Sequence, residues 1–493
     1  MPWRRWEAAV AGCRLRPPAA SRGSTLTRRR AVASADAPLA SVDAVIVGAG
    51  PSGLLLAHRL LDAGARVEIF EGRPDPREVG GLEGRAYALG LGIRGRTAIR
   101  SAGDALWEAI LPGGFASERF QLHLSETWAI DLRSPGDSKG LEPSVLIYQT
   151  DLCGAMLQEL ERRHLSGGRL QSHFGSSVVS VDPLAGSVIV EEPTGSGQRR
   201  TVGPSKLIAG CDGVNSVVRA AIAGACAGFE AEKELLPGYL KVLRFSAMPA
   251  ALEADAVHAI PGKGGSSAFV EPTAKGACAL INWRSAPGSE PGTSDLEAVT
   301  DASEALEALR GRFPLLADVL DDDAAQQFVQ QVPSRAATVR CNTYHHGCAV
   351  LLGDAAHSTG GASGQGCNSA LQDSAALADA LTELGGDVEA ALLLYSKRRV
   401  PEGRALLDLS LGPGAEAGPL RKALYGLASI RDTLLSRLGL GEPPLQTMLT
   451  TTLTPFAEIR RGRDFFFGEF PSFDASIAAL AASGQNGEGV KHK

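Results

Sequence analysis

Residues 44–71 constrain this chain more than any other stretch. Ala44-Val45-Ile46-Val47 is a short continuous apolar run, the pattern of a parallel strand buried on both faces. It leads directly into Gly48-Ala49-Gly50-Pro51-Ser52-Gly53, a G-x-G-x-x-G. Leu54, Ala57 and Leu61 follow at helical spacing, and Gly64 ends the helix. Arg66-Val67-Glu68-Ile69-Phe70 alternates as a second strand, and Glu71 closes it 23 residues after Gly48. Each residue type has a physical reason. Gly48 permits the tight turn, Gly50 lets the backbone approach a pyrophosphate, and Gly53 lets helix and strand pack closely. The helix N-terminus faces the phosphates, and Glu71 can take both hydroxyls of an unphosphorylated ribose, which favours FAD or NAD over NADP.

A second match, Gly90-Leu91-Gly92-Ile93-Arg94-Gly95, has no clean strand before it and no acid-terminated strand after it. It reads as a Gly-rich loop opening the next helix, so the chain offers one dinucleotide domain and a nicotinamide would have none of its own. The rest of the 493-residue chain sets further bounds. Residues 1–42 hold eight Arg against Glu7 and Asp36, so a net charge of −6 leaves the rest at −12. An acidic body argues against nucleic acid as a partner. No apolar stretch reaches the roughly 20 residues of a transmembrane helix. Eight scattered Cys without a C-x-x-C pair read as reduced thiols. Residues 1–40, Arg-rich, acid-poor and without an apolar h-region, have the pattern of an organellar transit peptide, with Arg28 to Ala35 as the processing region. The small residues after the Arg triplet favour chloroplast, with mitochondrion the alternative.

Two more segments decide which dinucleotide is expected. Leu207 to Gly210 is an apolar strand followed by Cys211-Asp212-Gly213 and a helix start through Arg219. Ala349 to Leu352 is another, ending in Gly353-Asp354 and continuing through Gly364-Gln365-Gly366-Cys367-Asn368 into a helix with Ala370, Ser374, Leu377, Leu381 and Leu384 on one face. With the first loop, these resemble the three signatures of the single-component FAD-dependent aromatic hydroxylases, the group A flavoprotein monooxygenases. The likeness spans about residues 43–405. It is greatest to kynurenine 3-monooxygenase-like members, through Glu71 to Arg77, Gly84-Arg85, Arg94-Gly95, Pro237-Gly238-Tyr239, Gly364 to Asn368, and Met448 to Arg460.

The resemblance implies an α/β fold: a Rossmann-like, p-hydroxybenzoate hydroxylase-like FAD-binding domain with an interleaved β-sheet substrate domain and a C-terminal helical region. The expected layout is a transit peptide at 1–40, FAD domain at 41–220 and 336–405, substrate sheet at 221–335, helical region at 406–475 and a disordered tail at 476–493. By the same resemblance the Gly48 loop and Glu71 hold the adenosine end, Arg73 and Arg85 flank the cofactor, and Asp354 holds the ribityl chain. Gly366, Cys367 and Asn368 lie at the flavin ring at a helix N-terminus, and Asp212 shapes the path for FAD and NADPH. Gln149 stands where many relatives carry Arg and the p-hydroxybenzoate hydroxylases carry Gln. The implied reaction consumes O2 and NADPH or NADH and hydroxylates an aromatic or similarly activated small molecule. No residue is assigned a catalytic role, and His357 is expected to pack beside the pyrophosphate.

The sequence departs from the kynurenine pattern at the substrate pocket. Ser358 to Ser363 is small and flexible where those enzymes place Pro and bulky residues, and Arg119, the nearest cation for a substrate carboxylate, falls one residue out of register. The expected substrate is therefore not kynurenine. A flavoprotein reductase, oxidase or cyclase, or a non-catalytic flavin-binding protein, is the alternative. Cys341 to Cys348, with His345 and His346, has metal-ligand residue types but is read as a solvent-facing hairpin, with no metal assigned. Phe465-Phe466-Phe467 is read as buried against the body, with peripheral membrane contact as the other reading.

Overall fold

The apolar run at 44–47 forms the strand Asp43–Val47 near the middle of a six-stranded sheet. Its order is His345–His346, Ala349–Leu351, Leu207–Gly210, Asp43–Val47, Arg66–Glu71 and Leu170–Phe174, all parallel except the first short strand. Register is fixed by burial on both faces: Val45 lies between Ile208 and Glu68, and Ala209 opposite Val350. This computed structural model describes residues 39–78, 87–135, 142–284, 296–361, 363–414, 418–437, 440, 443–468 and 470. Residues 1–38, Arg85 and the tail from 476 lie outside the described residues.

Helices Pro51–Asp62, Gln149–His164, Gly366–Glu383 and Val388–Leu411 complete this half of the molecule. Leu54, Leu56, Leu60, Met156, Leu160, Leu377 and Leu381 are fully buried in one apolar core with the sheet. Leu384 does not join them. It is the C-cap residue and 37% exposed.

The second sheet also has six strands, in the order Tyr239–Phe245, Gly276–Trp283, Ser267–Thr273, Ala256–Pro261, Arg119–His123 and Ala129–Arg133. The last two come from within residues 41–220, and Arg119–His123 pairs parallel with Ala256–Pro261. Strand alternation gives this sheet two faces. Leu243, Ala268, Val270, Ala279 and Ile281 pack on helices Ala302–Arg312 and Asp322–Gln330. Asp301 and Asp321 cap those helices, accepting from Ser303 and Glu304 N–H and from Ala324 N–H. The opposite face is turned to a cavity.

The Cys341–Cys348 segment turns back on itself, but it is not solvent-facing. Cys341, Asn342, Thr343 and Tyr344 are buried, because Tyr344 packs against Tyr395 and His357 and the His345 Nδ1 meets Ser396 Oγ at 2.7 Å. The C-terminal region is helical over Gly418–Arg437, Leu445–Thr451 and Phe456–Arg461. Phe466 and Phe467 pack edge-on to Tyr425, whereas Phe465 is exposed. Among the described residues no helix is long and apolar enough to cross a membrane.

Candidate active site

The G-x-G-x-x-G turns sharply where the sequence requires it. Gly48 has φ +102°, and a Cβ there would sit 2.4 Å from the Cys211 carbonyl oxygen. Gly50 is different. Its φ of −73° suits any residue, and among the described residues nothing lies within 4 Å of a Cβ built on it. The room it leaves lies outside the protein, at the N-terminus of Pro51–Asp62, where a pyrophosphate fits. A Cβ on Gly53 would strike the Gly48 carbonyl oxygen at 2.1 Å, so the last glycine serves packing.

Glu71 ends its strand beside this turn and accepts from the Ala49 N–H at 2.9 Å. Burial alone would raise its pKa, but the Arg73 guanidinium and N–H hold the carboxyl below its ordinary range. Arg73 is thus an anchor for Glu71. Asp212 accepts from the Val217 and Val218 N–H groups through Oδ2 and caps the following helix. Among the described residues its Oδ1 is buried without a hydrogen bond, and burial, partly offset by Ser216 and these N–H groups, pushes its pKa up. Such an atom fits a ligand hydroxyl.

The three motifs are tied together by side chains that sequence reasoning left without roles. Arg219 donates to the carbonyls of Val214 and Ala355, linking the Asp-Gly and Gly-Asp turns. Ser52 and Ser374 hydroxyls meet at 2.8 Å, joining the first helix to Gly366–Glu383. Asp373, fully buried on that same helix, takes the Gly353 N–H at 2.9 Å, His357 Nε2 at 2.6 Å and Arg399 Nε at 2.6 Å. Burial opposes its charge, yet His357 and Arg399 hold its pKa down. His357 therefore belongs to a buried ion network. An acid on the otherwise apolar face of the helix was the available signal for Asp373.

Asn368 performs a specific task. Its Oδ1 accepts from Gly92 and Gly95 N–H at 3.0 and 3.2 Å, and its Nδ2 donates to the Gly90 carbonyl at 2.8 Å. The second glycine motif is not the loop the sequence suggested: Gly90 and Leu91 end the strand Ala88–Leu91, Gly92 is the N-cap residue, and Gly95 is already in the helix Ile93–Arg100, with Asn368 clasping the junction. Gly366 and Cys367 start their helix at the wall of the cavity, with Asp354 on the same lining. Gln149 is the first residue of Gln149–His164 and is half-buried, its N–H donating to the Tyr87 carbonyl at 3.2 Å.

The cavity measures about 2240 Å³ and runs from Asp354, Gly366 and Cys367 to the open face of the second sheet. Phe120 and Phe269 line it, together with Trp128, Leu146, Leu280 and Glu271. Arg119 does not. It pairs with Glu253 at 2.8 Å and Asp255 at 3.3 Å, as alternation with Phe120 demands.

Comparison with known proteins agrees with this geometry. A family profile described as an FAD binding domain matches residues 41–410. This chain belongs to that family of FAD-dependent monooxygenases. A kynurenine 3-monooxygenase of Salinispora arenicola is 31% identical over 84% of this chain and 89% of its own. A violacein synthase of Chromobacterium violaceum is 26% identical over 74% and 84%. Among solved structures, a 2-methyl-3-hydroxypyridine-5-carboxylic acid oxygenase superposes with a TM-score of 0.59 at 21% identity, over 75% of this chain and 90% of that one. The fold is that of the p-hydroxybenzoate hydroxylase-type enzymes, and the chain is an FAD-dependent monooxygenase.

Proposed function

We propose that this monooxygenase hydroxylates an apolar aromatic small molecule other than kynurenine, using NADPH or NADH and O2. The observation that carries the substrate reading is the cavity wall. Phe120, Phe269, Trp128, Leu146 and Leu280 on that wall suit a ring, and Arg119, the nearest cation for an amino-acid carboxylate, is paired with Glu253 and Asp255 and does not line the cavity.

The FAD assignments follow the same logic. The space beside Gly50 takes the pyrophosphate, Glu71 the ribose, Asp212 through its free oxygen a cofactor hydroxyl, and Asp354 the ribityl chain. Arg73 acts by orienting Glu71, and Asn368 by holding the strand-to-helix junction at Gly90–Gly95 against the start of the Gly366 helix. When bound, FAD supplies the reduction and oxygen chemistry. The protein supplies placement and a wall that excludes water. Residues 1–40 direct the chain to the chloroplast or mitochondrion, which import of a reporter carrying them would test.

With FAD-loaded protein, kynurenine is expected to leave NADPH oxidation unchanged while a less polar aromatic compound accelerates it. Robust hydroxylation of kynurenine would overturn the substrate reading.

A further inference from the structure

On the strand Ser267–Thr273, the residues Ser267, Phe269 and Glu271 alternate onto the cavity face. The first two suit it. Glu271 does not, by the ordinary rules of burial. It is 6% exposed and shares the lining with Leu89, Leu146, Val242 and Leu280. Among the described residues its carboxyl has no hydrogen bond and no ion pair.

Neighbouring charges are committed elsewhere. Lys275 Nζ pairs with Asp151 at 2.9 Å, and Lys241 Nζ donates to the Phe328 carbonyl at 2.6 Å. The Arg244 guanidinium lies over the Tyr148 ring, 4.6 Å from its centroid. Opposite Glu271 in the register is Cys278, a fully buried thiol that burial keeps neutral, its pKa pushed up to about 12. Burial likewise pushes Glu271 up to about 8. A lone buried carboxyl destabilises a fold, and an apolar residue here would carry no such cost. Its missing partner is therefore sought on the open side, in the cavity.

Resting on the monooxygenase reading, we propose that Glu271 selects and orients the substrate by hydrogen bonding to a hydroxyl or amino substituent on an otherwise apolar aromatic ring. Leu89, Leu146, Val242 and Leu280, which share the lining with it, offer nothing to a polar group. A carboxyl beside them fixes which edge of a flat ring points where, and a ring without a polar substituent leaves the carboxyl without a partner.

The test compares naphthol, naphthylamine and methylnaphthalene on the full, FAD-loaded chain, by calorimetry and by perturbation of flavin absorbance. The two polar compounds are expected to bind at least about ten-fold more tightly than the methyl compound, and Glu271→Leu to abolish that preference. Equal affinities, no binding of either donor, or a preference that survives in Glu271→Leu would overturn the proposal. Should the leucine variant fail to load FAD, infrared difference spectra against Glu271→Gln serve instead. The Glu271 carboxyl band should shift with naphthol and not with methylnaphthalene, and an unmoved band would overturn the assignment. These readouts need no turnover. A chain that discriminates the compounds but consumes no NADPH or O2 would contradict the monooxygenase reading alone.

Discussion

Gly50 separates a requirement of the fold from a requirement of the ligand. Its backbone is ordinary and no protein atom crowds its Cβ position, so Gly50→Val is expected to fold normally. It should lower FAD affinity by about ten-fold or more, because the new side chain occupies the space left for the pyrophosphate. Circular dichroism and flavin titration check the pair of outcomes. Gly48→Ala, forced into φ +102° against the Cys211 carbonyl, should instead lose folded protein. Glu271 yields a pH prediction. With its pKa raised to about 8, the folded chain keeps a proton that the unfolded chain releases from about pH 4.5 upward. Stability should then fall as pH rises through that window, by about 1.4 kcal/mol per pH unit at most. Glu271→Gln cannot ionise there, so its melting temperature should gain on the parent from pH 5 to pH 8, in roughly that proportion. Parallel curves would contradict it.

Helix Gly366–Glu383 carries two kinds of work on one buried side. It buries Leu377 and Leu381, and that period was plain in the sequence. The same side carries Asp373, an acid that stands out on the apolar face but whose partners, His357 and Arg399, are brought to it only by tertiary folding. Asp373→Ala should remove that ion network and cost about 3–5 kcal/mol, since it strands the Arg399 charge in the core. Denaturant unfolding measures it. Asn368→Ala should cost about 1–3 kcal/mol by leaving the Gly92 and Gly95 N–H groups without their acceptor. It should also weaken flavin uptake, which a merely destabilised core would not do selectively. Arg119 illustrates the opposite case. Once its strand was known, alternation with Phe120 sufficed to turn it from the cavity, but the strand itself was not legible because its partner, Ala256–Pro261, lies far along the chain.

At the scale of the whole molecule, the FAD half was legible because its strands are continuous apolar runs that each end in a chemically distinctive turn. The substrate sheet was expected at 221–335, and four of its strands lie there, within 239–283. The strands at 119–133 could not be read, being short and mixed in character, and they close the cavity at Phe120. Nor could the sequence give the cavity's polarity, which depends on which residues of six strands share a face. The central claim is that this cavity joins a flavin site to an apolar substrate site in one working enzyme. The most direct measurement follows NADPH oxidation and O2 uptake by the FAD-loaded chain against a panel of apolar aromatic hydroxyl and amino compounds. One of them is expected to accelerate both in equal amounts and to leave a product heavier by one oxygen atom. A protein that takes up no FAD, or one whose NADPH oxidation no such compound raises, would contradict it.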